Sequence, residues 1–532
     1  MSLDWFLNAD ERGNPDTRLD IRPAVPAGQA YLPGNRVRPL IDGATYFAEL
    51  LTAIRRMRRG DLLLFTDWRG DPDERLDGPG TEVSRVLCEA ASRGVIVKGL
   101  IWRSHWDRLQ YSEAENQLLG EEIEAAGGEC LRDMRVRSFG SHHQKFVVLR
   151  HPGRPELDIA FVGGIDLCHT RGDTSEHEGD PQPQKMSPKY GPRPPWHDVQ
   201  LAIVGPAVGA VETVFRERWN DPTPLTRNPV LRLHDWVRRE DTSADKLPEQ
   251  LPDPPPDGPH AVQLLRTYPY RRRGYPFARH GERSVARGYC KSVSRARRLI
   301  YLEDQYLWSP QVADCFAGAL ADNPELRMIV VVPRHPDQTG LISGVPQLYG
   351  RLRALTALQA AGGDRIAVYS LENSAGTPIY VHAKVCILDD TWATVGSDNL
   401  SLRSWTHDSE LTCAVVETFA EGGSDQDGSD QDGSGYARSL RLRLAREHLG
   451  RADGDDDDLR EPGPVFEAFA RSAAALDEWH AGGRVGPRPA GRVRPYRLPQ
   501  LSRWTQMWCR PLYRALLDPD GRPPGLRRDG AF

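Results

Sequence analysis

The sequence predicts an α/β protein built by duplication, with two α/β/α sandwich halves sharing one active site at their interface. Three observations carry this expectation. Helix-period segments alternate with short, wholly apolar strands. The same order of elements recurs on either side of a Pro/Asp-rich stretch at residues 247–260. A His-x-Lys triplet stands at matching places in the two halves, at His143 and Lys145 and again at His382 and Lys384.

The chain has 532 residues, 39% hydrophobic and 27% charged, a composition that suits a soluble globular protein and excludes a collagenous, wholly disordered or membrane-spanning one. No run approaches the roughly 20 apolar residues that cross a bilayer. The first residues show neither a basic leader nor an apolar core of a signal peptide, so a cytoplasmic protein is expected. Eight cysteines are scattered with no C-x-x-C pair, which argues against a zinc site and a disulfide framework. The net charge of -5 speaks against a protein devoted to polyanion binding.

In the first half, residues 43–59 carry Tyr46, Phe47, Leu50, Leu51 and Ile54 at helical spacing. Apolar strands at 62–68 and 95–102 follow. In the second half a helix is expected over 284–298, with strands at 299–306 and 328–333. Composition breaks at 173–195, at 247–260 and in the Gly/Ser/Asp loop 421–435. The resulting division is a first half over 1–246, a linker over 247–260, a second half over 261–480 and an Arg-rich segment over 481–532. The acidic loop lacks the ligand spacing of a calcium-binding EF-hand and is read as solvated sequence.

Each His-x-Lys triplet opens an apolar strand, where a period of two points both side chains to one face. A glycine turn on the following strand, at Gly163-Gly164 and at Gly396-Ser397, presents a polar residue nearby: Asp166 in one half, Asn399 in the other. Such a set suits a phosphodiester. Ammonium groups hold its non-bridging oxygens and stabilise charge in the transition state, while imidazole serves as nucleophile or general acid near neutral pH. One copy supplies half a site, and two copies facing each other put a histidine on each side of the phosphorus, as in-line displacement requires.

These residues resemble the phospholipase D superfamily, whose mark is a duplicated H-x-K-x4-D motif with a downstream G-S-x-N. The second copy matches in full with His382, Lys384, Asp389, Gly396, Ser397 and Asn399. The first departs from it, with Arg150 in the place of the aspartate and Asp158 as the nearest substitute. Further blocks are similar to the eukaryotic-like, phosphatidylcholine-type branch: Gly34-Asn35 with Pro39 to Gly43, His142 to Lys145, Phe161 to Leu167, Pro195-Trp196-His197-Asp198, Ile300 to Tyr306, Arg403-Ser404, Asp408 to Glu410, and residues 439–449.

The resemblance implies that His143 is the nucleophile of a phosphatidyl-histidine intermediate and that His382 protonates the leaving alcohol. It implies that Lys145, Lys384 and Asn399 hold the phosphate, that Asp166 stands in the place of the asparagine, that Ser397 fixes the second turn, and that Asp166 and Ser397 join these in the substrate-binding set. Asp389 joins the catalytic set as the motif aspartate. Asp198 and Glu410 are candidates to orient an imidazole, the alternative being a helix cap or ion pair. The implied reaction is hydrolysis of the distal phosphodiester of a glycerophospholipid, with transphosphatidylation as a side activity. The rivals are a cardiolipin synthase-like phosphatidyltransferase, a nuclease and a non-catalytic lipid-binding scaffold.

No cofactor or metal is expected, because the lysines supply the positive charge. The expected partner is phospholipid at a membrane surface, with no nucleic acid, and the chain is taken as a monomer. Trp196 is read as core or lipid contact and Cys386 as an inert thiol. His169 and His197 are candidates to line the cleft, while His105, His151 and His177 take no role. The Arg-rich C-terminus, with Tyr496, Trp504, Trp508 and Tyr513, either meets anionic lipid or wraps the core.

Overall fold

The computed structural model describes residues 3–104, 113–238, 240–338, 344–418 and 435–532. The first half contains strands β1 (Leu32–Ile41), β2 (Leu62–Asp67), β3 (Ile96–Trp102), β4 (Glu129–Asp133), β5 (Phe146–Arg150), β6 (Ile159–Gly163), β7 (Trp196–His197) and β8 (Val199–Val204). The second contains β9 (His260–Tyr268), β10 (Glu282–Arg283), β11 (Leu299–Asp304), β12 (Arg327–Val331), β13 (Ile366–Glu372), β14 (Pro378–Val381), β15 (Lys384–Leu388), β16 (Trp392–Gly396) and β17 (Glu410–Glu417), and β18 (Val493–Pro495) follows.

Hydrogen bonding orders the first sheet β1-β8-β6-β5-β2-β3-β4, with β2, β3 and β4 parallel. The second runs β9-β17-β16-β15-β11-β12-β13, with β11, β12 and β13 parallel. The two orders are the same, strand for strand. The sheets meet where β1 pairs with β9 through Leu32 and Asn35, with a register shift between those residues.

Each sheet is covered on both faces, because its strands are apolar on both. Helices Gly43–Arg55, Val83–Ser92 and Glu113–Ala125 pack on the outer face of the first sheet, against Leu63, Phe65, Val97, Val147 and Leu149. Helices Ser284–Val293, Pro310–Asp322 and Gly344–Gly362 do the same for the second, against Ile300, Leu302, Met328 and Val330. The inner faces share one core with helices Ala207–Trp219, Tyr436–Leu449 and Pro462–Ala481. Each buried Val, Leu or Ile there contributes roughly 1.5–3 kcal/mol, and the common core makes the halves one body.

Two segments cross the expected divisions. Phe6 and Leu7 pack into the second half, where the Gln263 amide bonds both the N–H and the C=O of Leu7. Near the other end, β18 adds to the edge of β13. The segment 173–195, expected as a break, is ordered against the site described below, and the loop 421–435 lies outside the described residues except for Gly435. Among the described residues no helix is long and apolar enough to cross a membrane.

A buried chain of imidazoles and carboxylates ties the halves together. His197 Nδ1 lies 3.1 Å from Asp42 at the end of β1, and its Nε2 lies 2.8 Å from Glu303 on β11. Glu303 also receives the Tyr301 hydroxyl at 2.6 Å and His448 Nε2 at 2.8 Å. His177 spans from the Trp196 carbonyl at 2.9 Å to Glu447 at 3.1 Å. Both nitrogens of His197 face carboxylates and both of His177 face acceptors, so each ring must carry two protons. Burial lowers the His177 pKa, but Asp42 and the Asp173 and Glu447 carboxylates outweigh it and lift it to about 9. His197 is also raised well above the ordinary value, burial being overcome by Glu303 and Asp42.

The folded imidazoliums titrate above their unfolded value of about 6.5. Their contribution is therefore complete below pH 6.5 and is lost as pH rises through about 9. The thermal midpoint is expected to fall between pH 7 and 9.5, and Glu447→Gln to flatten that fall. A midpoint that stays level across this window would show that the network does not hold the halves.

Candidate active site

The two triplets sit where the parallel strands end. β5 lies antiparallel beside β2 and β15 beside β11, which sets Lys384 against Asp304 at the carboxyl end of β11, and crevices outside such strand ends are the usual site in sheets of this kind. The strands open at Phe146 and Lys384, so His143, Lys145 and His382 lie in the extended segments just before them rather than inside regular strand. Each lysine folds back on its own triplet: Lys145 Nζ donates to the His143 carbonyl at 3.1 Å, and Lys384 Nζ to that of His382.

Between the triplets lies a cleft of about 440 Å³, lined among others by His143, Asp166, Arg171, Trp196, Gln305 and His382. A larger groove of about 1220 Å³ lies beside helix Pro229–Arg238, and among the described residues no histidine lines it.

The imidazoles are held by exchange between the halves. Glu410, from the second half, lies with Oε2 2.8 Å from Nδ1 of His143. Asp198, from the first half, lies with Oδ2 2.6 Å from Nδ1 of His382. Gly163 pairs with Gln200 and Gly396 with Thr412, so Asp198 and Glu410 occupy equivalent places in the two sheets.

With Nδ1 bound to a carboxylate, each ring has Nε2 left for a reacting group. Burial lowers the pKa of both rings well below the ordinary value, helped at His143 by Lys145 and Lys384 and at His382 by Lys384 and Arg171. Glu410 is pushed up to about 8 by burial and by Asp408, and Asp198 is raised by burial. Burial pushes Lys384 down to about 8, with Lys145 adding to it and Asp198 opposing.

The copies differ where the motif differs. Ser397 is fully buried, and its hydroxyl donates to Glu410 at 2.6 Å while accepting from the Leu411 N–H. It braces the carboxylate; the expectation that it binds substrate is corrected. Its counterpart Gly164 has no room for a side chain, since a Cβ there would stand 2.3 Å from Asp198 Oδ1. Asp166 lines the cleft with Oδ1 3.3 Å from Lys145 Nζ, and although burial raises its pKa, Lys145 and Arg171 bring it down to about 2. Its counterpart Asn399 is buried, with no hydrogen-bond partner for Oδ1 among the described residues.

Asp389 belongs to the far end of β15. Its carboxylate accepts the N–H groups of Arg297, Arg298 and Leu299 at 2.7, 2.8 and 2.9 Å and so fixes the entry to β11. It acts on the fold and not in the cleft, which corrects its place in the catalytic set. In the first half Arg154 grips Asp61 there instead, with both oxygens at 2.7 Å. Arg150 is buried between Asp158 at 2.8 Å and Glu212, so Asp158 neutralises the arginine rather than replacing the motif aspartate.

Several cleft residues lie outside the two triplets and their glycine turns. Arg171 stacks at 4.0 Å over Trp196, whose ring lies 4.9 Å from that of His382. Gln305 bonds Lys384 at 3.2 Å, and Trp68 meets His143 edge-on. Gln184, Lys185 and Met186 form a wall from a segment that composition marks only as polar and Pro-rich. Trp196 is thus both buried and part of the wall. His169 lines the cleft as expected, while His197 does not and belongs to the buried inter-half network. Cys386 is buried beneath the second triplet. Among the described residues, the side-chain groups able to hold a metal ion lie within that network and at His234, Asp235 and Glu240, none of them in the cleft.

Residues 78–312 match the family model "Phospholipase D", and residues 290–420 match "Cardiolipin synthase, PLD-like domain". Phospholipase D alpha 1 of Oryza sativa subsp. japonica is 25% identical, over 80% of this chain and 66% of its own length. Phospholipase D1 of Schizosaccharomyces pombe is 24% identical, over 78% and 35%. Phospholipase D zeta 2 of Arabidopsis thaliana is 23% identical, over 86% and 58%. The chain thus spans between about a third and two thirds of these relatives. The crystal structure of phosphatidylserine synthase from Haemophilus influenzae superposes with a TM-score of 0.51 at 14% identity, over 82% of this chain and 94% of that one, a likeness of fold.

Restoring the motif aspartate by Arg150→Asp is expected to harm the protein. It leaves Asp158 buried without its arginine and Glu212 with Arg216 alone, and sets a further carboxylate beside them, at a cost of about 3–5 kcal/mol, so thermal unfolding should begin at clearly lower temperature. A variant as stable as the parent would refute this account of Arg150.

Proposed function

The chain belongs to the phospholipase D superfamily, and on that premise we propose that it hydrolyses the distal phosphodiester of glycerophospholipids, phosphatidylcholine foremost, to phosphatidic acid and the free head-group alcohol. The observation that carries the reading is the pair of exchanged imidazole–carboxylate bonds, His143 with Glu410 and His382 with Asp198, facing one cleft beside two lysines.

In this reading His143 Nε2 attacks phosphorus, and the bond from phosphorus to the head-group oxygen breaks. The proton goes to that oxygen from Nε2 of His382, which enters this step as the imidazolium held by Asp198 and leaves it neutral. Water, deprotonated by His382, then attacks the phosphorus of the phosphatidyl-histidine, and the P–N bond breaks to release phosphatidic acid. Glu410 and Asp198 steady the positive charge that each ring carries in turn. Lys145, Lys384 and Arg171 take up the charge of the phosphoryl oxygens. An alcohol in place of water gives the phosphatidyl-alcohol.

A second reading, phosphatidyl transfer as the main reaction, is favoured by the match of residues 290–420 to the cardiolipin synthase domain and by the likeness of fold to the phosphatidylserine synthase. It uses the same residues, and the acceptor decides between them.

Incubation with phosphatidylcholine vesicles, a primary alcohol and EDTA should yield phosphatidic acid and phosphatidyl-alcohol from the parent chain, and neither from His143→Ala or His382→Ala. Mass spectrometry should place the trapped phosphoryl group on His143. Cleavage confined to a nucleic acid run in parallel, or the label on His382, would overturn the corresponding assignment.

The pH profile gives an independent test. Glu410, at about 8, must ionise to hold the His143 imidazolium, so kcat/KM rises with its deprotonation. Lys384, also at about 8, must keep its proton to hold the phosphate, so kcat/KM falls with its loss. kcat/KM is expected to fall steeply above pH 8, where Lys384 loses its proton in addition to the loss at His382. Lys384→Arg should make that fall shallower, and Glu410→Gln should lower kcat by roughly 10²-fold or more.

A further inference from the structure

The C-terminal helix Arg503–Leu512 has one face packed and one face bare. Cys509 and the following Tyr513 are buried beside Trp308 and Tyr349, and the Tyr513 hydroxyl donates to the Trp308 carbonyl and to Asp518 at 2.6 and 2.7 Å. Trp308 stacks on Tyr306, which lines the cleft. The other face presents Trp504, Met507 and Trp508 at helical spacing, 75%, 59% and 39% exposed. The helix is therefore seated against the cleft wall while its apolar face points outward.

The bare surface continues toward the first triplet. Phe139, four positions before His143, is 66% exposed, and Leu516 is 41% exposed. Arg403 joins them, donating through Nη1 to the Phe139 carbonyl at 3.0 Å and through Nη2 to the Leu516 carbonyl at 2.6 Å. Arg503, Arg510 and Arg514 are exposed around this surface, and none pairs with a carboxylate among the described residues. Asp518 is buried, and Asp520 is occupied by Arg522.

We propose that the outer face of helix Arg503–Leu512, with Phe139 and Leu516, docks the cleft mouth onto an anionic phospholipid surface. Tryptophan and arginine side by side suit the boundary between head groups and acyl chains, where the indole is half-buried and the guanidinium meets phosphate. A second copy of this chain is a poor occupant, because it would set the same unpaired arginines against one another. The inference rests on the phospholipid reading and deepens it. The proposed reaction turns a zwitterionic lipid into an anionic one and so strengthens its own docking, and hydrolysis of pure phosphatidylcholine vesicles should accelerate as product accumulates.

The test uses the full chain with vesicles of phosphatidylcholine mixed with phosphatidylserine, and in parallel a monomeric short-chain phosphatidylcholine. The double variant W504S/W508S should lose about tenfold or more in vesicle binding and should raise the apparent KM on vesicles, with turnover of the monomeric lipid unchanged. Replacing Arg503, Arg510 and Arg514 by Gln should weaken binding by about fivefold per arginine and remove its preference for anionic vesicles. Unchanged vesicle binding in both variants, with hydrolysis intact, would overturn the docking face and leave the reaction standing. Lost binding in a chain that hydrolyses neither lipid would keep the docking face and sink the reaction. A concentration-dependent dimer that W504S/W508S abolishes would give the face to a second copy and overturn the proposal.

Discussion

Neither half of this protein can orient its own histidine, and the rest of the structure follows from that. His143 is bound by Glu410 and His382 by Asp198, each carboxylate arriving from the opposite sheet. An imidazole bound at Nδ1 has its tautomer and ring plane fixed and Nε2 free, but only while the partner stays within hydrogen-bond distance. The interface must therefore be rigid to a fraction of an ångström. A shared apolar core supplies the bulk of that rigidity. The imidazole–carboxylate chain through His197 supplies the local part, since His197 adjoins Asp198 in sequence and its carbonyl accepts the His382 N–H at 2.8 Å.

Much of this was legible in the sequence, because duplication writes the same signal twice. Apolar strands and amphipathic helices in the same order predict two like sheets, and they pair in the same order. The triplets and the glycine turns follow from spacing, and the two downstream carboxylates from the resemblance to the family. What spacing does not carry is the crossing of partners: Asp198 and Glu410 read as downstream of their own triplets, and only the apposition of the sheets gives each to the other. Nor does it carry Arg171 or Gln184, whose neighbours look like loop composition; their role comes from where the backbone returns, which is a tertiary property. His197 was legible as a polar residue beside Asp198 and not as a buried cation, since that depends on Asp42, Glu303 and Glu447 meeting around it.

The departures of the first motif copy are explained by what each residue touches. Asp389 ties three backbone N–H groups at the start of β11, a structural duty that Asp61 and Arg154 discharge in the first half by another route. Arg150 is then free to serve as the buried cation for Asp158 and Glu212, the latter on a helix that fills the shared core. Gly164 and Ser397 differ for a similar reason: in one half the turn must clear a carboxylate, in the other it must bond one. The motif is thus a mixture of groups that face the cleft and groups that hold the strands, and duplication conserves the first more strictly than the second.

The remaining asymmetry lies in charge, and it divides the labour of the two lysines. Lys145 faces Asp166, a carboxylate held ionised to about pH 2, so its charge is already half answered inside the protein. Lys384 faces the neutral Gln305, and its equivalent neighbour is Asn399 rather than an aspartate. A phosphate oxygen entering the cleft therefore meets the more weakly paired cation on the second half, while the first half offers a neutral, low-pKa imidazole that is the more exposed of the two, at 15% against 6%. Under the proposed reaction this puts charge recognition on one side and nucleophilic attack on the other, as an in-line displacement needs, and the difference between Asp166 and Asn399 is what distinguishes the two sides.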